Sequence, residues 1–251
     1  MALQDPRVRI REATPADANA MAEIQLAAFG TDVINQLLYP GEITEDAKTK
    51  AAESLFAPPE PPHQSSEPLL VVAELVLENG PEVIAFAKWS LRRESVPEEE
   101  WDVEPSVSPD MLGEGSNIEV FKWFHLTLHR KLRSFSRGEA MLYLEVLVCA
   151  PHRQRLGAGF ALVRWGVDLA DRLGLVCWVE GSAYSYRLYM RYGFDDVTVV
   201  DLRVTETWGV VKPEDQDWGG NLALEIGRSL PVGELRTVIM KRLPSPGSLQ
   251  L

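Results

Sequence analysis

The stretch from Leu144 to Phe160, LEVLVCAPHRQRLGAGF, constrains this chain more than any other. A β-rich run enters a loop, Gln154-Arg155-Leu156-Gly157-Ala158-Gly159, and a helical pattern follows directly over 157–173. Glycine permits positive φ and lets a ligand approach the backbone closely. A helix N-terminus presents N–H groups without intrahelical partners and the positive end of the helix dipole, which together favour a phosphate. Arg153 and Arg155 add positive charge at the same turn. The segment therefore predicts a strand–loop–helix unit with an anion or pyrophosphate site. A Walker-type loop is excluded, because no Lys-Ser/Thr pair follows the second glycine. The dinucleotide pattern G-x-G-x-x-G is absent as well. What remains is Q/R-x-x-G-x-G/A, matched by Gln154 through Gly159.

The pattern around this unit alternates strands and helices. Leu142 to Cys149 reads as a strand, and the helix over 157–173 carries only a narrow polar stripe, Arg164, Asp168, Asp171 and Arg172, so it is largely covered. Gly174 caps it, followed by a strand Leu175–Glu180, a short helix Ala183–Tyr192, and strands Phe194–Val204 and Leu235–Lys241. Upstream, Arg7–Arg11 alternates as a half-exposed strand, and Thr14-Pro15-Ala16-Asp17 opens a helix running to Gly30. A second helix spans Thr44–Phe56, and Leu69–Leu77 with Glu82–Leu91 reads as a β-hairpin. Residues 58–68 hold five prolines in eleven positions and read as an extended loop. The whole, 1–251, reads as one domain with a Pro-rich loop at 57–68 and an acidic insertion at 93–118.

Charge narrows the function. The 251 residues carry a formal −12, which argues against nucleic acid or an anionic membrane as partner. Nine of the acids lie between Glu94 and Glu119 with no Lys or Arg among them, and outside that stretch 28 acids face 25 bases. The next helix, about Val120 to Ser136, reverses the sign with Lys122, Arg130, Lys131 and Arg133. The insertion is therefore expected either to fold onto this helix or to border an entrance, where it would attract a cation. Cys149 and Cys177 make no disulfide framework, and no metal-ligand spacing occurs; His125 and His129, four apart, read as a solvated cationic face rather than ligands. With no apolar run long enough to span a membrane and no hydrophobic leader, the expectation is a soluble, cytoplasmic protein.

Three further matches accompany the glycine loop. Pro151 ends the preceding strand; a strand ending Val179-Glu180-Gly181-Ser182 follows the helix; then comes Leu188-Tyr189-Met190-Arg191-Tyr192-Gly193-Phe194, an L-Y-x-x-x-G-F ending. On these motifs the chain resembles the GNAT N-acetyltransferase superfamily, closely over 141–195 and in element order over 7–92 and the last strand. Its texture is similar to fungal members in particular. The resemblance implies an α+β, three-layer fold: a mixed, strongly twisted sheet, helices on both faces, and parallel strands 142–149 and 175–180 splayed around acetyl-CoA. Leu147, Val148 and Cys149 would then pair with pantetheine amides, and the loop from Gln154 and Arg155 through Leu156, Gly157, Ala158, Gly159 and Phe160 would hold the pyrophosphate. Ser182 stands where many members carry an Asn near the cofactor.

The same resemblance implies transfer of an acetyl group to a primary amine within a ternary complex, without a metal. Tyr189 falls on the general acid, since a phenol stays protonated at neutral pH and can protonate a departing thiolate. Tyr184, Tyr186 and Tyr192 are its rivals. Glu145 is the candidate base, with Glu180 on the facing strand as the alternative. Cys149 reads as a small buried residue, not a nucleophile. The acceptor is expected to be a small-molecule amine, cationic if the acidic insertion borders its entrance. A weakly catalytic CoA-binding module and a protein N-terminal or lysine acetyltransferase stay open as alternatives.

Overall fold

Alternating apolar residues and well-placed turn residues build seven strands into one sheet. The computed structural model describes residues 5, 7–59 and 65–245. In chain order the elements are β1 (Val8–Glu12), α1 (Ala18–Phe29), α2 (Val33–Leu38), α3 (Glu45–Phe56), β2 (Glu67–Leu77), β3 (Gly80–Arg92), α4 (Glu98–Trp101), α5 (Ile118–Ser136) and β4 (Met141–Cys149). They continue with α6 (Ala158–Leu173), β5 (Val176–Gly181), α7 (Tyr186–Arg191), β6 (Asp195–Leu202), α8 (Val204–Trp208), α9 (Gly220–Glu225) and β7 (Leu235–Arg242). The expected hairpin is present with a two-residue turn: Leu77 pairs with Gly80, whose φ of +118° requires glycine. Part of the Pro-rich loop, 60–64, lies outside the described residues.

Strand order is β1-β2-β3-β4-β5-β7-β6. Only β4 and β5 run parallel, and β7 inserts between β5 and β6. A sheet apolar on both faces needs cover on both. α6 covers one face so closely that a Cβ on Gly166 would lie 2.1 Å from the Trp89 ring. On the opposite face α1 and α3 pack Met21, Ile24 and Leu55 over Val72, Phe86 and Val148. α5 covers the remainder of that face with Val120, Leu128 and Leu132 against Trp178, Val200 and Ile239. Trp218, between α8 and α9, is 2 % exposed and belongs to this core.

The acidic insertion folds onto α5. Glu104 grips Arg130 through both carboxylate oxygens, and Asp102 lies 3.5 Å from Arg133. Packing adds to charge: the Val96 N–H donates to the Gly138 carbonyl at 2.9 Å, and a Cβ on Gly138 would sit 2.3 Å from Trp101. Its far end meets α3, where the Glu114 N–H donates to Asp46 at 2.9 Å. Glu119, counted with the acidic stretch, is the first-turn acid of α5. Since Gly138 also has φ +70°, Gly138→Ala is expected to destabilise by roughly 2 kcal/mol or more. Glu104→Gln, a change in a solvent-exposed pair, is expected to leave the midpoint nearly unchanged. Urea titrations of both variants check the ranking; equal losses would make charge, not packing, the anchor.

Candidate active site at the β4–β5 fork

β4 and β5 pair from Met141↔Val176 to Leu144↔Val179 and then part, although β4 runs on to Cys149 and β5 to Gly181. The cause lies in their other neighbours. Lys88 pairs with Val146 and Trp89 with Leu144, so Glu145 is an extra, bulged residue that bends β4. Beyond the bulge β4 follows β3 to the Ala85↔Cys149 pair, while β5 stays with β7 through Gly181↔Val238. Leu147, Val148 and Cys149 lie on the stretch of β4 that has lost its β5 partner, so backbone groups along that edge have no strand to bond. Glu145 and Glu180 are the first residues past the last paired position, one on each arm.

The two carboxylates occupy different environments. Glu145 forms an ion pair with Lys88 at 3.3 Å. Glu180 has no cation against it among the described residues; desolvation raises its pKa to about 7, and a hydrogen bond with the Tyr143 hydroxyl offsets part of that rise. Tyr143, half-buried near Glu180 and Glu145, is held well above the usual phenol pKa by desolvation and by those charges.

Four tyrosines compete near α7, and the structure gives each a distinct place. Tyr184 is 75 % exposed. Tyr186 donates to Asp196 at 3.0 Å, and Tyr192 donates to the Phe160 carbonyl at 2.7 Å, tying α7 to α6. Tyr189 is 3 % exposed, with its ring beside Gly181 and 5.8 Å from Phe194. Burial raises its pKa to about 12; a hydrogen bond with Ser185 opposes this and the charge of Glu180 adds to it. Tyr189 and Glu180 thus sense each other across the end of β5. The exposed Ser182 shapes the entry to α7: its N–H donates to Ser185 Oγ at 3.0 Å and its carbonyl accepts from the Tyr186 N–H at 3.0 Å.

At the open end of β4 stands the glycine loop. Gly157 caps α6 with φ +85°, and Arg155 also adopts a positive φ, +68°. The first bond into the helix runs from the Ala161 N–H to the Gly157 carbonyl, so the amides of Ala158, Gly159 and Phe160 have no carbonyl within the helix. A Cβ on Gly159 would meet only Leu188 Cδ2 at 3.8 Å, an ordinary contact. The chain's own packing therefore does not require glycine there, whereas a ligand approaching the helix end would. Leu156 packs its side chain on the core while its carbonyl accepts from the Asp5 N–H at 2.9 Å; Gln154 is exposed.

One charge expectation needs correction. Arg153 does not face the loop as a free cation: Glu82 on β3 holds it by two hydrogen bonds, at 3.1 and 2.7 Å. Arg155, exposed and without an ion pair among the described residues, is the cation the loop offers. His125 keeps the exposed position that the sequence suggests, with its ring tilted against Phe121 at 4.0 Å. Among the described residues no group of His, Cys, Asp and Glu is placed to hold a metal. No described helix is long and apolar enough to cross a membrane. Cys149 donates toward the Arg153 carbonyl at 3.5 Å, and burial lifts its thiol pKa to about 11, so it is no thiolate.

Lys88, Tyr143 and Ser185 join the site only in three dimensions. A signal existed for Lys88, a lone cation in the otherwise apolar run Ile84–Trp89. None existed for Tyr143, whose role depends on the neighbour that β5 brings.

No family model and no curated protein matches the sequence. Solved structures do match. One is a Corynebacterium glutamicum protein described as histone acetyltransferase HPA2 and related acetyltransferase: TM-score 0.53, 14 % identity, 95 % of this chain and 97 % of that one. Another is the mosquito arylalkylamine N-acetyltransferase like 5b: TM-score 0.53, 14 % identity, 94 % of this chain and 99 % of that one. A third is arylalkylamine N-acetyltransferase 2 from Aedes aegypti: TM-score 0.52, 11 % identity, 95 % of this chain and 99 % of that one. At such identities the likeness is one of architecture, and the mixed, twisted sheet with helices on both faces is the fold of the GNAT acetyltransferases.

Proposed function

We propose that this chain is an acetyl-CoA-dependent N-acetyltransferase acting on a small primary amine by direct attack in a ternary complex. The observation that carries the reading is the fork itself. A carboxyl with a pKa of about 7 and a protonated buried phenol sit at its base, and a glycine-capped helix end stands at its mouth. Acetyl-CoA would supply an electrophilic thioester carbonyl and a thiolate leaving group. The orphan amides at Ala158, Gly159 and Phe160, with Arg155, suit its pyrophosphate, and the unpaired edge at Leu147–Cys149 suits its pantetheine amides. Ser182, at the mouth of the fork, would lie beside the cofactor.

In this reading Glu180 takes the proton from the acceptor ammonium, since its raised pKa makes it a competent base near neutral pH. Glu145, the other candidate, has its carboxylate engaged by Lys88 at 3.3 Å, whereas Glu180 has no cation against it among the described residues. Tyr189 holds its proton until negative charge develops on the departing sulfur. The mosquito structures are named for arylalkylamines, and an amine of that size class fits this reading.

Binding supplies the test. Saturating CoA is expected to raise the melting temperature by about 5 °C or more through mass action. Gly159→Ala, whose added Cβ the chain's own packing accommodates, should keep its ligand-free midpoint within about 3 °C and weaken the shift. No shift in the wild-type protein would overturn the assignment of the loop to the cofactor.

A further inference from the structure

We propose that the small cavity between β3 and α5 is a halide site, where Arg92 and Arg133 together hold one chloride-sized anion. Arg92, at the end of β3, is 5 % exposed. Its guanidinium forms no hydrogen bond or ion pair among the described residues, its Nε is buried without a partner, and Glu100 acts on it only at a distance. Arginine keeps its charge in proteins, so burial cannot be relieved by loss of a proton. A buried, uncompensated guanidinium is therefore strongly unfavourable. Arg133, on α5, turns its Nε and Nη2 toward Asp102 and Glu104, at 3.5 and 3.8 Å, and leaves Nη1 buried without a partner.

Both arginines line one cavity of about 20 Å³, with Ser90, Ser136 and Tyr143 around it and no carboxylate in its wall. That volume takes one atom-sized occupant and is too small for a tetrahedral oxyanion. Water would satisfy the orphan N–H groups but would leave the charge of Arg92 without a counter-ion, since Asp102 and Glu104 answer Arg133, not Arg92. A monovalent halide satisfies both. Trp101 and Arg133 also line an outer groove with Glu98, Asp102, Arg130 and Arg137, so Trp101 stands between that groove and the cavity. Tyr143, on the cavity wall, hydrogen-bonds Glu180, which puts the site one side chain from the fork.

The test compares melting temperatures in sodium chloride, bromide and gluconate at equal ionic strength. Chloride and bromide are expected to raise the midpoint over gluconate by about 5 °C. Arg92→Met, close in shape and uncharged, should remove the difference, whereas a general salt effect would persist in it. If that variant does not fold, the chloride NMR line of the wild-type solution decides: protein-induced broadening reversed by bromide supports the site. Equal midpoints in the three salts would overturn it, as would a halide dependence that survives in Arg92→Met. A loss of stability in Glu100→Gln that is the same in chloride and gluconate would also overturn it, by giving the charge of Arg92 to Glu100. The readout is stability, so it stands apart from the proposed acetyl transfer.

Discussion

Replacing Glu180 by glutamine is expected to lower kcat/KM by about 10²–10⁴-fold and to abolish the acidic limb of its pH profile near pH 7. The wild-type protein should show the limb because the proposed base must be ionised, and desolvation moves that ionisation up from the usual carboxylate range. Folding stability should respond in the opposite direction. A carboxyl whose pKa rises from 4.5 to about 7 on folding binds its proton more tightly when folded. The wild-type protein therefore loses stability as pH rises between those values and carries the full penalty above them. The substituted amide carries no such charge, so E180Q should be more stable than the wild type above pH 7, by up to about 3 kcal/mol. Below pH 4.5 the difference should close. Glu145→Gln should keep the acidic limb. A limb that survives in E180Q and vanishes with Glu145→Gln would transfer the role to Glu145.

Tyr189→Phe should lower kcat by about 10²-fold while leaving the CoA-induced melting shift intact. The ring contacts with Gly181 and Phe194 survive the change, so only the hydroxyl is lost. With its pKa raised to about 12, the phenol should contribute no alkaline limb in the range where the protein is stable. Tyr186→Phe and Tyr192→Phe remove hydrogen bonds to Asp196 and to the Phe160 carbonyl, and should act on stability rather than on turnover. Unchanged turnover in Y189F with a verified amine would remove Tyr189 as the acid. If CoA still bound and no amine were turned over by the wild type, the chain would be a binding module.

Much of this arrangement was legible in local pattern. The glycine loop, the helix it caps, the hairpin and the two facing strands follow from residues close in sequence, because turns, caps and two-residue alternation are short-range effects. The position of β7 was not, since Leu235–Arg242 reads as a strand wherever it sits and only pairing places it between β5 and β6. The short helices α2 and α9 escape a sequence reading for a related reason. Six residues carry too little periodicity to stand out, and these helices persist through packing: Val33 and Ile34 bury against the α5 core, and Leu222 against the main one. Glu145 and Glu180 were both in view, but their order was not. The bulge that turns Glu145 to Lys88, and the desolvation that lifts Glu180, depend on strands far apart in the chain.

The net charge divides the same way. Composition alone placed the acidic excess in one segment and argued against nucleic acid as a partner, because charge is additive along a chain. Where that charge acts is a matter of three-dimensional contact. Two carboxylates of the insertion, Glu104 and Asp102, are taken up by Arg130 and Arg133, which fixes it against α5. By itself the sequence determined a strand–loop–helix unit suited to phosphate; the role of Tyr189 as an acid came from the resemblance and rests with the proposed function. Only the tertiary structure decided which carboxylate is desolvated, which arginine is free and which is buried without a partner. Those properties belong to dielectric surroundings and distance, and neither is written in the order of residues.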